Sequence, residues 1–275
     1  MRVQFYQTKS ELLKPWLEGY YFLFKDKSEA DVEYLTFPNN FVNLSVSNQV
    51  TVAFNDIEAV ITEDRSKSIS STLVANYKKP IKVQYSGKVE EITFHFKPLG
   101  LNAFLPNPIS HYKDSLHAFY PFADFSSSML TILNESCIDI KIDQIEKYWL
   151  TKLSGFQHPF MINLIDDILI PNREVSIHEL ALKYNTSRQN IFKLFKNLLG
   201  ENPSDFLKIH RFRETLSNRI ASLKNEGNLT SLSYESLFYD QSHMIREFKA
   251  LTGLSPKKFF EKIRLKKGAG NWLFV

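Results

Sequence analysis

Apolar and polar positions alternate in short runs over the first 118 residues and change to a three-to-four-residue spacing after that. Val42–Val46, Val50–Phe54, Ile81–Tyr85 and Glu91–Phe96 are rich in β-branched and aromatic residues and partly alternate, which predicts strands. Turn formers separate them at Pro38-Asn39-Asn40, Asn55-Asp56, Lys79-Pro80 and Ser86-Gly87. From Phe122 to about Leu153 the apolar set becomes Met129, Ile132 and Leu133, then Ile142, Ile145, Trp149 and Leu153, a helical period. Ser154-Gly155 marks a boundary, and Pro159 suits the first turn of a new helix.

The remainder reads as helices throughout. Phe160, Leu164, Ile165, Ile168 and Leu169 form one apolar face ahead of the break at Pro171-Asn172. Ser176 and Glu179 have capping-box spacing and predict a helix from Ile177 to about Tyr184. Asn185 then supplies a residue that tolerates the left-handed turn, and Thr186 or Ser187 caps a helix with Ile191, Leu194, Phe195 and Leu198 inside. Asn202-Pro203 opens a longer helix to about Leu223, closed by a polar Lys224–Asn228 loop. A second cycle follows with Leu229 and Leu232, a cap at Asp240, the apolar Met244, Ile245, Phe248 and Leu251, and a closing helix at Ser255-Pro256.

The two cycles are related. FKNLLGENPSDF, Phe195 to Phe206, returns in register as FKALTGLSPKKF, Phe248 to Phe259. The pattern predicts an α+β chain of two domains: a β-rich domain with flanking helices over residues 1–153, and an all-α domain of two helix–turn–helix units joined by a long helix over 158–262. A tail, 263–275, follows, and whether its apolar end packs or stays loose is left open by the sequence.

Charge divides along the same line. Residues 158–275 carry +6 and residues 1–157 carry −2, which together give the formal +4. A basic half joined to a slightly acidic one suits a nucleic-acid partner for the former. A lone cysteine, Cys137, excludes an intramolecular disulfide and a thiolate zinc site. With no signal-peptide h-region and no long apolar run, the expected address is the cytoplasm, with no membrane partner.

Removing the apolar face of each second helix leaves the candidate DNA-reading side chains. In the first unit these are Ser187, Arg188, Gln189, Asn190, Lys193 and Lys196; in the second they are Gln241, Ser242, His243, Arg246 and Lys249. Arg can fork onto guanine, Asn or Gln can pair with adenine, and Lys or Ser can hold phosphate. The plain alternative for each is a solvated helix face. At about 1.5 Å per residue the joining helix spans about 31 Å, near one turn of B-DNA at about 34 Å. Arg211, Arg213 and Arg219 lie on it, and surface solubility accounts for at least one of them.

Residues 158–262 resemble the AraC/XylS family of bacterial transcription regulators. The similarity is carried by YDQSHMIREF, Tyr239–Phe248, with Gly253 and Pro256, and in the first unit by Leu180-Ala181, Ser187, Ile191 and Phe195-Lys196. Leu237 and Asn185 stand where the family usually has a turn glycine, Ser233 where alanine is common, and Lys193 where arginine is common. The resemblance implies sequence-specific binding of double-stranded promoter or operator DNA and transcription regulation, commonly activation through contact with RNA polymerase. FPNNFVNLS, Phe37–Ser45, and ITFHFKPLGLNAFL, Ile92–Leu105, are similar to an uncharacterised β-rich domain found upstream of such DNA-binding domains. That implies a small-molecule effector site, a homodimer interface, or both.

Other chemistry has little material. His95, His111 and His117 form no His-x-His pair and have no acidic residue at ligand spacing, so neither a metal nor another cofactor is expected. Cys137 beside Ile138 reads as a buried inert thiol. The aromatic set Phe94, Phe96, Phe104, Phe119, Tyr120, Phe122 and Phe125 forms either ordinary core or the lining of an apolar effector pocket. Two further classes stay open at this stage: an enzyme with a helical regulatory module, though no catalytic triad is visible, and an adaptor that binds protein through its helices.

Overall fold

The computed structural model describes residues 1–55, 57–115, 117–171, 173–225 and 241–262. The expectations at Leu229, Leu232, Ser233, Leu237 and Asp240, and for the tail 263–275, lie outside the described residues.

Among the described residues nine strands form two sheets. The first is antiparallel, in the order β1 (Arg2–Gln7), β2 (Leu17–Lys25), β9 (Val89–Phe96), β4 (Val42–Asn48), β7 (Ile69–Val74). The second runs β3 (Val32–Thr36), β8 (Ile81–Ser86), β6 (Glu58–Glu63), β5 (Val50–Phe54), with β6 and β8 parallel. Strand β9 lies at the centre of the first sheet and alternates strictly between two faces. Ile92, Phe94 and Phe96 enter a core with Val42, Leu44 and Val46 of β4. Glu91, Thr93 and His95 point the other way, toward the second sheet.

Two helices, α1 (Phe125–Asn134) and α2 (Ile138–Lys152), contribute Met129, Ile142, Ile145 and Trp149 to the same core as Phe94 and Phe96. Trp149 is fully buried and meets Phe94, Phe96 and Phe104 edge-on at 5.3, 5.0 and 5.1 Å between ring centres. On the same helix, the Glu146 carboxylate accepts from the Lys9 and Ser10 amides at 2.7 and 2.9 Å and from the Tyr20 hydroxyl at 3.2 Å. It thereby ties the β1–β2 connection to α2.

The aromatic set resolves as core: Phe94, Phe96, Phe104, Phe119 and Phe125 are all buried there, Phe122 packs at its margin, and Tyr120 is exposed. The expectation for Cys137 is corrected, because the thiol is exposed. Cys137 is the N-cap residue of α2, in the bend after α1, and its amide donates to Glu135 Oε1 at 2.8 Å. A cap position ahead of the first helical turn directs its side chain away from the packed face. A second correction concerns Pro159. Helix α3 spans Met161–Ile168, and the His158 Nδ1 accepts from the Met161 amide at 3.2 Å, so the helix begins two residues later than the proline implied.

The helical half continues as α4 (Ile177–Lys183), α5 (Arg188–Leu198), α6 (Pro203–Asn225), α7 (Gln241–Thr252) and α8 (Pro256–Lys262). The sequence repeat is a structural repeat. Gly200 and Gly253 both adopt the left-handed conformation, φ 75° and 74°, each ending a helix one short turn before the proline that opens the next. Phe195 packs edge-on against Phe206 at 5.6 Å, and Phe248 against Phe259 at 4.9 Å. Each copy is therefore the same aromatic clasp folded around a glycine.

Glu201, next to Gly200, is 4% exposed, and its carboxyl is pushed up to about 8 by burial and by neighbouring Asp205. The folded chain holds that proton, whereas the unfolded chain releases it near 4.5. Stability contributed here is therefore lost as pH rises from about 4.5 to about 8. Glu201→Gln should match the parent near pH 4 and exceed it above pH 8 by on the order of 2–4 kcal/mol, read from urea unfolding across pH. Trp149→Ala should cost roughly 3–5 kcal/mol in the same assay, since five rings lose their shared partner in a close-packed core.

Candidate nucleic-acid interface and the cavity behind it

Helix α4 starts at a complete capping box: the Ser176 hydroxyl accepts from the Glu179 amide and the Glu179 carboxylate accepts from the Ser176 amide. Its end is pinned to α3. Asp167 accepts from Lys183 Nζ at 2.5 Å and from the Tyr184 hydroxyl at 2.6 Å, and the Lys183 bond holds the Asp167 carboxyl below its ordinary value. Asn185 turns the chain at φ 47°, and of the two cap candidates Ser187 does the capping, accepting from the Asn190 amide at 3.0 Å.

Helix α5 then divides cleanly. Ile191, Phe195 and Leu198 are buried against Leu180, Ala181, Leu164, Ile168 and Phe206. Arg188, Gln189, Asn190, Lys193 and Lys196 are exposed together with the cap Ser187. Asn190 Nδ2 donates to the Thr186 hydroxyl at 2.9 Å. Phe192, passed over in the sequence, is 40% exposed among these polar groups. Its mark was an aromatic residue outside the i, i+3, i+4 set that defines the buried face.

In the second unit, Phe248 and Leu251 of α7 pack with Ile209, Phe212 and Leu216 of α6 and Phe259 of α8. Arg246 and Lys249 are exposed. Gln241, Ser242 and His243 form the first turn of α7, and their side chains lie outside the described residues. Helix α6 is clamped to α7 by a two-pronged pair, Arg211 Nη2 to Glu247 Oε1 at 2.7 Å and Nε to Oε2 at 3.2 Å. Surface solubility is thus not the role of Arg211. Nor is it the role of Arg213, whose Nε donates to the Pro38 carbonyl at 2.6 Å and whose Nη2 donates to the Phe37 carbonyl. The side chain of Arg219 lies outside the described residues.

The β-rich half grips the helical half along this route. Asn102 and Asn76 amides donate to the last carbonyls of α5 and its cap, Leu198 O at 2.8 Å and Leu199 O at 2.7 Å. They satisfy acceptors that a helix end otherwise leaves open. Ser110 bonds Asn197 at 2.9 Å, Asn40 bonds the Phe206 carbonyl at 3.2 Å, and Phe37 packs edge-on against Phe259 at 4.9 Å.

Between the two sheets lies a cavity of about 340 Å³. Register explains its character. On the first sheet His95 pairs with Asn43, Thr93 with Ser45, and Glu91 with Ser47, so three polar rows cross its inner face. Opposite them the second sheet presents Tyr34, Ile61, Val83 and Phe54, an apolar wall. Glu91 is surrounded by hydroxyls, accepting from Thr93 at 2.8 Å, Ser47 at 3.0 Å and Tyr21 at 3.2 Å. Burial nevertheless raises its carboxyl above the usual range. Burial also pushes His95 down to about 4, so its imidazole is neutral at pH 7. Arg213 reaches the same cavity from α6. Among the described residues no group of three or more His, Cys, Asp or Glu could hold a metal ion, and no helix is long and apolar enough to cross a membrane.

Residues 180–262 match the family model described as a helix-turn-helix domain. No curated protein matches the sequence. Among solved structures, ToxT of Vibrio cholerae is similar as an apo lysine-to-alanine variant, at 11% identity over 88% of this chain and 97% of that one with a TM-score of 0.44. The same protein in an unsaturated fatty acid-bound form gives 12% identity, 86% and 94% coverage and a TM-score of 0.42. Over residues 180–262 the chain therefore carries a helix-turn-helix domain.

Proposed function

We propose that this chain is a transcription regulator of the AraC type that reads promoter DNA with α5 and α7 laid in successive major grooves, under control of a small molecule held by the β-rich half. The observation that carries the reading is the outer face of α5: an arginine, two amides and two lysines, all exposed, on a helix whose opposite face is fully buried. In this role Arg188, Gln189 and Asn190 meet base edges, and Ser187, Lys193 and Lys196 hold phosphates. Phe192 lies where an apolar group can meet a thymine methyl. In the second unit Arg246, Gln241 and His243 take the base-reading part, with Ser242 and Lys249 on the backbone.

Helix α6 supports the pairing of the two readers. Its 23 residues make it about 34 Å long, close to one turn of B-DNA. The proposed division assigns residues 158–262 to DNA and residues 1–153 to sensing and to self-association. The family resemblance supports activation by contact with RNA polymerase. The cavity between the sheets supports effector control, since it is polar on one wall and apolar on the other.

Selection of duplexes from fragmented genomic DNA by the full chain should enrich a bipartite motif with half-sites about ten base pairs apart. Binding should fall steeply as salt rises. Arg188→Ala should cost about 1–3 kcal/mol on the selected duplex and relax preference at one position. Lys196→Ala should weaken selected and random duplexes alike and shallow the salt slope by about one unit. Enrichment of no motif, or binding indifferent to salt, would sink the reading.

A further inference from the structure

The guanidinium of Arg213 is a buried cation with no carboxylate partner among the described residues. Two of its nitrogens donate to the Phe37 and Pro38 carbonyls, the Tyr77 hydroxyl lies beside the guanidinium, and the third nitrogen, Nη1, is buried with no hydrogen-bond partner. Burying a charge is costly unless it is paired, and an unmet donor adds to that cost. Arg213 lines the cavity, and so do two more buried atoms without partners, Asn43 Oδ1 and Thr72 Oγ1.

Register places these groups in the two rows away from Glu91. Asn43 pairs across the strands with His95, and Thr72 sits in the next row with Ser45 and Thr93. Glu91 lies four residues along β9 from His95, about 14 Å away at roughly 3.4 Å per residue. The Glu91 end is already satisfied: four hydroxyls serve the carboxylate, those of Thr93, Ser47, Tyr21 and Tyr85, and the Ser70 hydroxyl donates to the Val50 carbonyl at 2.6 Å. Unmet hydrogen-bonding capacity is therefore confined to the end that Arg213 enters. His95 is neutral there, so Arg213 is the cation that a ligand would meet.

We propose that the cavity binds a small organic monoanion, its carboxylate seated on Arg213 Nη1 and the Thr72 hydroxyl, with its apolar body against the wall formed by Tyr34, Val83 and Phe54. This rests on the cavity being the effector site and specifies the ligand's chemical class. The Thr72 hydroxyl can donate to the carboxylate, and a half-turn of the Asn43 side-chain amide presents its NH2 to the same space. A carboxylate supplies both the missing counter-charge and the missing acceptor, which a neutral sugar or an amine does not. Because Arg213 belongs to α6, which carries both recognition units, the bound anion joins the sensing half to the DNA-reading half through one side chain. It also leaves Arg213 holding the Phe37–Pro38 loop, so the ligand adds a link without breaking one.

The test uses the full chain and three carboxylates, butanoate, benzoate and 3-phenylpropanoate, each paired with its primary amide, titrated by calorimetry. At least one carboxylate should bind about tenfold or more tightly than its amide, and Arg213→Met should abolish that preference. Hydrogen exchange should slow on binding in residues 37–43 and 203–218 of the parent chain. If Arg213→Met does not fold, Ser45→Phe serves instead: it fills the middle row while leaving Arg213 in place, and should remove carboxylate and amide binding together. Equal affinity for acid and amide overturns the anion assignment and leaves the effector reading standing. Carboxylate binding that survives Ser45→Phe or keeps its preference in Arg213→Met overturns it as well, because the anion then sits elsewhere. Binding of no probe overturns both this proposal and the effector reading.

Discussion

Two phenylalanine clasps, Phe195 on Phe206 and Phe248 on Phe259, set the orientation of both candidate reading helices. In each, a helix ends on a left-handed glycine, the chain turns within three residues, and a proline starts the next helix with its own ring against the first. A helix held this way cannot rotate about its axis without opening a buried aromatic contact. The polar face of α5 therefore points outward as a direct consequence of where Phe195 points inward. Helix α6 extends this control over the whole half, since Phe206 begins it and Phe212 packs on Phe248 further along. The ion pair of Arg211 with Glu247 fastens the second unit to the same rod.

The β-rich half is organised by a different constraint, a sheet buried on both faces. On one face Phe94 and Phe96 meet Trp149, and the packing is that of an ordinary apolar core. On the other, serine, threonine, asparagine and glutamate are enclosed without enough side-chain volume to fill the space, and a cavity results. Polar groups inside a protein need partners. Around Glu91 the sheet supplies them itself; around Asn43, Thr72 and Arg213 it does not. The two ends of one cavity thus differ in kind. One is a finished hydrogen-bond network, and the other is an open set joined covalently to the DNA-reading half.

Much of this was legible without coordinates. The strands at Val42–Val46, Val50–Phe54, Ile81–Tyr85 and Glu91–Phe96, the capping box at Ser176, the left-handed Asn185 and the open face of α5 all follow from spacing and local chemistry, and all are present. The cavity was not read, although its signal is visible in retrospect. Glu91-Ile92-Thr93-Phe94-His95-Phe96 alternates as a solvated edge strand would, yet Glu91 and Thr93 are as buried as their apolar neighbours. Alternation reports that the two faces differ, not that one of them faces water. Cys137 failed for a related reason: an apolar neighbour in sequence, Ile138, said nothing about the direction of a cap side chain.

The amino-acid sequence alone determined four of the strands, the helical period and the main apolar positions of the second half, and that the last third repeats itself. Those properties are local, because helical and extended backbones have fixed periods and glycine, proline and serine act on their immediate neighbours. Tertiary structure alone decided what covers each face. Arg213 and Arg211 are both arginines on one amphipathic helix, two positions apart, yet one pairs with a carboxylate 36 residues away and the other reaches carbonyls 175 residues back in the chain. Nothing in their local spacing separates these fates. They differ because two sheets, assembled from pairings distant in sequence, brought the Phe37–Pro38 loop and a polar cavity to one side of α6 and left α7 on another.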